Sequence, residues 1–365
     1  MWPGKDHDLL KGVVMNTNGR RLGLLERLAE GPVICAEGYL FELERRGYLQ
    51  AGAFVPEVVL EHPEEVAQLH REFVHAGSDV VEAFTYYAHR EKLRLVGKED
   101  LLERINRRAL ALAKGVAEES GALFAGDICN TNVYEPEDAG AYLEARTMFE
   151  EQVGWAVEAG VDFIVGETFS YAEEALIGLE VIKETGLPAV ITLAVHREPE
   201  TREGWSVAEA CKRLQDAGAD VVGLNCIRGP KTMMPLLEEI MAVVDVPVAA
   251  LPVPYRTHEE EPSFQSLRDP HYDDLPNGGI PFPTALDPFY CNRYEIADFS
   301  REARALGVGY FGLCCGAAPH HIRSMAEALD RPPPASRYSP DMSKHVFLGT
   351  DPTLRQQNIE YSSEL

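Results

Sequence analysis

The chain has 365 residues, 45% of them hydrophobic, with 59 acidic residues against 34 basic ones and a formal net charge of −25. That charge argues against nucleic acid or an anionic membrane as a partner, and no apolar run reaches the length of a membrane span. The seven cysteines are odd in number and scattered, unlike a disulfide framework, and the start of the chain carries no apolar signal region, so a reducing, cytoplasmic setting is expected.

In chain order, one piece of punctuation recurs: a helical stretch, a glycine, a spacer, then an apolar strand. It runs through Ala76, Gly77, Ser78, Asp79 and Val80, then through Ala159, Gly160, Val161, Asp162 and Phe163. It returns as Ala217, Gly218, Ala219, Asp220 and Val221, and more loosely around Leu306, Gly307 and Val308. Glycine past a helix end accepts a left-handed cap, and the β-branched or aromatic residues that follow suit a buried strand. The preceding segments have helical spacing, with Val66, Leu69, Phe73 and Val74 in the first and Ala208, Cys211 and Leu214 in the third. Further strands fit at 33–37, 122–127, 189–193 and 246–251. Eight short strands alternating with helices predict a parallel sheet with crossovers.

Closure into a (β/α)8 TIM barrel is expected because polar residues end the strands all along the chain. They are Glu37, Thr85, Asp127, Glu167, Thr192, Asn225 with Cys226, and Cys314 with Cys315. In a barrel these ends meet at one mouth, and no Gly-rich dinucleotide fingerprint follows the first strand. The stretch 252–292 breaks the pattern; its aromatic residues predict an ordered loop over the mouth, before the last helix-strand unit. After Arg331 and three prolines the chain turns polar. The expected organisation is a barrel domain over 1–331 and a short C-terminal arm over 332–365.

Cys226 and the pair Cys314–Cys315 stand at two strand ends, and three thiols with one open position is a ligand set for catalytic zinc. Adjacent strand residues point to opposite faces, so both members of the pair reach one metal only if the strand is already turning, which Gly316 permits. Ordinary buried cysteines are the competing reading. His320 and His321 are rival ligands, while Cys35, Cys129, Cys211 and Cys291 carry no comparable signal. A thiolate-rich zinc suits deprotonation of a substrate thiol. Glu167 then fits the ammonium group of an amino-acid thiol, unless it pairs with a barrel arginine. Phe84, Tyr86 and Tyr87, with Tyr39, Phe54 and Phe169, form a candidate cage for an onium cation, packing being the alternative for each ring.

Three segments carry a family resemblance: Gly223-Leu224-Asn225-Cys226; Gly312 through Arg323, which holds Cys314, Cys315, His320 and His321; and Leu43 through Tyr48 with Pro56, His70-Arg71-Glu72-Phe73 and Phe84 through Ala88. From about Pro32 to Lys344 the chain resembles the zinc-dependent homocysteine S-methyltransferase family, and within it the betaine-using branch. The resemblance implies zinc on Cys226, Cys314 and Cys315, homocysteine against Glu167, and Tyr87 in the methyl-donor pocket. The chain departs from the pattern at Ala36-Glu37-Gly38, where the family carries Asp-Gly-Gly, at Phe54 for tryptophan, and at Thr168 for tyrosine. The tail is also shorter. The substrate-binding set is expected to comprise Glu37, Tyr39, Phe54, Tyr87, Glu167, Thr168 and Phe169. The expected activity is methyl transfer from a quaternary ammonium or sulfonium donor to homocysteine, giving methionine, in a homo-oligomer, with betaine a secondary donor. The alternatives are another thiol or a corrinoid-linked methyl on the same fold, or a non-catalytic barrel held by zinc.

Overall fold

A computed structural model describes residues 21–271, 278–362 and 364. The first twenty residues of the expected barrel domain, and 272–277 of the long loop, lie outside the described residues. Eight parallel strands close into a barrel in sequential order: β1 (Val33–Ala36), β2 (Val80–Glu82), β3 (Leu123–Cys129), β4 (Phe163–Phe169), β5 (Ala189–Leu193), β6 (Val221–Asn225), β7 (Val248–Leu251) and β8 (Tyr310–Leu313). Two strands run past their expected ends: β3 reaches Cys129, and β4 reaches Phe169. β1 stops one residue early and β7 starts two residues late.

Side chains alternate in and out along each strand. Val33, Cys35, Val80, Leu123, Ala125, Phe163, Val165, Val190, Val221, Ala249, Leu251 and Tyr310 pack together as one cluster inside the barrel. Their neighbours in sequence, among them Ile34, Val81, Phe124, Ile164, Ile191, Val222 and Phe311, pack in the layer against the helices. Two apolar layers thus hold the sheet, one filling the barrel and one around it.

The recurring glycine and aspartate have separate jobs at the end of the barrel opposite the mouth. Gly77 caps the helix Pro63–Ala76 at φ 119°, where an L side chain would be strained. The aspartate two residues later takes a backbone N–H from the preceding strand. Asp79 accepts from Ile34 at 2.8 Å, Asp162 from Phe124 at 2.8 Å and Asp220 from Ala189 at 2.9 Å. Each carboxylate also meets a cation: Arg331, Arg21 and Lys183 respectively. The motif stitches consecutive strands and leaves the other end free for chemistry.

The segment after β7 is ordered over the mouth where described. Tyr255 and Tyr290 form an antiparallel bridge, and Phe264, Leu267 and Leu286 are buried. Phe264 stacks on Phe41, 6.0 Å between ring centroids. Beyond Arg331 the chain forms short turns of 3-10 helix and the helix Gln356–Ser362. This arm exposes Tyr338, Met342, Phe347, Leu348 and Tyr361. Among the described residues no helix is long and apolar enough to cross a membrane.

Candidate metal and substrate site at the barrel mouth

Inward positions at the carboxyl ends of the strands divide the mouth into two halves. On one side, β1 to β4 supply Glu37 (just past β1), Glu82, Asp127 and Glu167; all four are buried. On the other side lie Thr192, Asn225, Cys226 and Cys314. The cavity between them is lined by the four acids, Tyr39, Phe84, Tyr86, Cys314 and Cys315, with no basic residue among the described residues.

Backbone conformation brings the thiols together. Cys226 and Ile227 are left-handed, φ 55° and 57°, so the chain turns as it leaves β6. The Cys226 N–H donates to Leu251 O at 2.9 Å, and the Cys314 N–H to Pro252 O at 3.1 Å. Gly316, at φ 95°, makes the turn that lets consecutive cysteines face one point. The Sγ atoms of Cys226, Cys314 and Cys315 lie within 4.8 Å of one another. A tetrahedral ion with bonds of about 2.3 Å to sulfur needs sulfurs about 3.8 Å apart, and the Cys314 and Cys315 sulfurs lie 4.0 Å apart. Cys314 and Cys315 both act as hydrogen-bond donors toward Cys226, whose thiol is held well below its ordinary pKa in consequence; theirs are raised. The three sulfurs converge on one point, and Cys226 is the one that favours the thiolate.

A clamp from the long loop sets the Gly316 turn. The Tyr290 hydroxyl donates to Gly316 O, and the Arg45 guanidinium donates to the Tyr255 hydroxyl at 2.8 Å while lying 4.9 Å from the Tyr290 ring centroid. A Cβ at Gly316 would overlap the Tyr255 ring and hydroxyl. The histidines are engaged elsewhere: His321 Nε2 pairs with Cys291 O at 2.9 Å, and its Nδ1 accepts from the Ala318 N–H at 3.4 Å. They are not ligands of the thiol centre.

Asn225 joins the two halves. Its Nδ2 donates to Glu167 Oε2 and to Thr168 Oγ1, lies 3.8 Å from Cys314 Sγ, and its Oδ1 accepts from the Thr168 N–H at 2.9 Å. Among the described residues no arginine pairs with Glu167. Burial first, then the Cys226 thiolate, pushes its carboxyl up to about 8. Burial, with the Glu167 charge second, raises Glu37, Glu82 and Asp127 well above the usual carboxylate range. Neither carboxyl oxygen of Glu37 accepts a hydrogen bond, nor does Asp127 Oδ1. A cluster of buried acids without cations is a site for a cationic ligand.

The homocysteine S-methyltransferase family profile matches residues 34–329. Betaine–homocysteine S-methyltransferase 1 of Xenopus tropicalis is 37% identical over 344 residues, 92% of this chain and 82% of that protein. The chain belongs to the homocysteine S-methyltransferase family. It is an S-methyltransferase of that class. The S-methylmethionine–homocysteine S-methyltransferase of Rattus norvegicus is 35% identical, over 90% of this chain and 86% of that one. In structure, the metallated homocysteine methyltransferase MmuM of Escherichia coli superposes with TM-score 0.64 at 17% identity, covering 83% of this chain and 99% of its own, a likeness of fold.

Of the residues expected in this family's substrate site, Glu37, Tyr39 and Glu167 line the cavity with Cys314 and Cys315. Thr168 stands at its edge, left-handed at φ 62° and bound to Asn225. The strand register shifts between Gly166 and Phe169, turning the Phe169 ring outward against Phe149, 5.9 Å between centroids. Phe54 stacks on Phe41 away from the lining, and Tyr87 lies behind Tyr86 with the Lys92 ammonium 3.8 Å from its ring centroid. The lining also includes Phe84 and Tyr86, expected in the onium cage, Asp127, expected at a strand end of the mouth, and Glu82, which the sequence reading did not single out. The signal for Glu82 was its parity with Val80 on an inward face.

Proposed function

We propose that this enzyme transfers a methyl group from a quaternary ammonium or sulfonium donor to the sulfur of homocysteine, yielding methionine. The carrying observation is the three-thiol centre facing buried carboxyls across one cavity. Cys226, Cys314 and Cys315 would hold zinc, which when bound deprotonates a ligating substrate thiol at neutral pH. Among the described residues the thiol group includes no fourth cysteine or histidine, which supports an open catalytic position over a structural one.

Glu167 and Glu37 would take the homocysteine ammonium group. Their carboxyl oxygens and Cys314 Sγ lie within 4.8 Å of one another, so thiol and ammonium of one small amino acid reach both ends. Asn225 holds Glu167 in place for this contact. Tyr39, Phe84 and Tyr86 present rings to the onium group. The sulfur attacks the methyl carbon in line, and the broken C–N or C–S bond leaves its electron pair on a neutral amine or thioether, so the donor needs no general acid. Positioning of the two reactants supplies most of the acceleration. The departures at Phe54 and Thr168 make betaine a secondary donor in this reading. The arm after Arg331, with Tyr338, Met342, Phe347, Leu348 and Tyr361 exposed, would pair subunits of a homo-oligomer, and seven free cysteines suit the cytoplasm.

The test is a methyl-transfer assay with homocysteine against a panel of onium donors, with metal measured on the same sample. About one zinc per chain is expected, lost together with activity in Cys226→Ala. Full metal content in that variant would remove the thiol centre from the reaction.

A further inference from the structure

Glu37 and Glu167 suffice for one ammonium group, yet the cavity holds two more inward carboxyls, on β2 and β3. Glu82, Asp127 and Glu167 offer oxygens within 4.8 Å of one another, and Glu167 also belongs to the group that contains Cys314. These extra acids therefore lie beside the proposed homocysteine position, in the lining of the same cavity as Cys314 and Cys315. Both are more than nine-tenths buried. Asp127 Oδ1 accepts no hydrogen bond, while its Oδ2 has only a 3.4 Å contact from the Thr85 hydroxyl. Glu82 Oε2 receives only the weak Cys35 thiol donor at 3.3 Å. Phe84 and Tyr86 follow Glu82 directly in the chain and line the same cavity. The cations nearby are committed, Lys92 over Tyr87 and Arg45 to Tyr255.

We propose that Glu82 and Asp127, with the Phe84 and Tyr86 rings, form a donor subsite that selects onium compounds of net positive charge over zwitterions carrying a carboxylate close to the onium centre. A carboxylate brought into this cavity would meet acids on four consecutive strands and no buried cation, leaving its charge unpaired. An onium head with a neutral or cationic tail instead supplies the counter-charge that these buried acids lack and favours their ionised form. This inference rests on the proposed reaction and goes beyond it in naming how the donor is chosen.

Choline and betaine share a trimethylammonium head and differ in the charge of the tail, so they isolate the effect. Calorimetric titration of zinc-loaded, homocysteine-saturated protein is expected to find choline bound at least about tenfold more tightly than betaine. Glu82→Gln and Asp127→Asn keep shape and remove charge; each is expected to shrink that preference severalfold while homocysteine affinity holds. Equal or tighter binding of betaine by the unaltered protein, or a preference unchanged in both variants, would overturn the subsite. Failure of homocysteine to bind the zinc-loaded protein would overturn the underlying reaction, and the subsite with it.

Discussion

The Asn225 side chain touches both the carboxylate and the thiol sides of the mouth. Its amide fixes the Glu167 oxygen and, through Oδ1, the left-handed Thr168 beside it. Among the described residues Glu167 has no cationic partner, so a bound ammonium group would be its counter-charge. Glu167→Ala is therefore expected to weaken homocysteine binding by about 1.5–3 kcal/mol, the worth of a charged hydrogen bond, or roughly 10- to 100-fold. Zinc should stay bound. Binding calorimetry beside metal analysis checks both, and unchanged homocysteine affinity would take Glu167 out of the site. Glu167 and the three cysteines were legible in the sequence because each ends an apolar run. Glu82 was not, since β2 has three residues, too few for alternation to fix which face is inward.

At the scale of elements, the site depends on where strands stop and how they turn. Phe169 was expected in the onium cage as an aromatic residue at a strand end; the register shift after Gly166 turns its ring outward, and an irregularity of this kind is not marked in the sequence of the strand. The turn at Gly316 was legible from its glycine, whereas the clamp on it was not, because Arg45, Tyr255 and Tyr290 come from distant parts of the chain. Gly316→Ala would force an L side chain into a left-handed conformation, at about 1 kcal/mol or more, and drive it into Tyr255. We expect the variant to lose zinc to a chelator at least about tenfold more readily. Tyr290→Phe, which removes only the hydroxyl, should show a smaller shift of the same sign. Chelator competition followed optically measures both, and retention equal to the parent in the two variants would mean the clamp does not position the thiols.

For the whole molecule, barrel closure followed from the even spread of polar strand ends along the chain, whereas the aspartate stitching beneath it needed the neighbouring strand's backbone to be seen. The interior also carries a pH liability. His70 is buried edge-on against Tyr39, 4.8 Å between ring centroids, with neither ring nitrogen hydrogen-bonded. Burial pushes its pKa down to about 3, and does the same to His321. An unfolded histidine titrates near ~6.5, so below that pH the unfolded chain takes up protons that the native state refuses. This stability is complete above pH ~6.5 and is lost as pH falls toward 3. His70→Phe should leave stability at neutral pH equal or higher, since an unsatisfied polar group is removed, and should flatten its decline on acidification. Urea midpoints taken across that range test the sign; parallel curves for parent and variant would refute it.

The division of the mouth has a consequence for how such an enzyme changes over generations. Thiols come from the later strands, β6 and β8, while the acids come from β1 to β4. If the proposed site holds, a substitution on β2 or β3 would alter which methylated compound is accepted while leaving the three cysteines untouched. Randomised libraries confined to Glu82, Phe84, Tyr86 and Asp127 should yield many variants that stay folded and metallated. The same separation would let natural lineages exchange one nutrient for another by a few point changes, while the thiol centre is inherited intact.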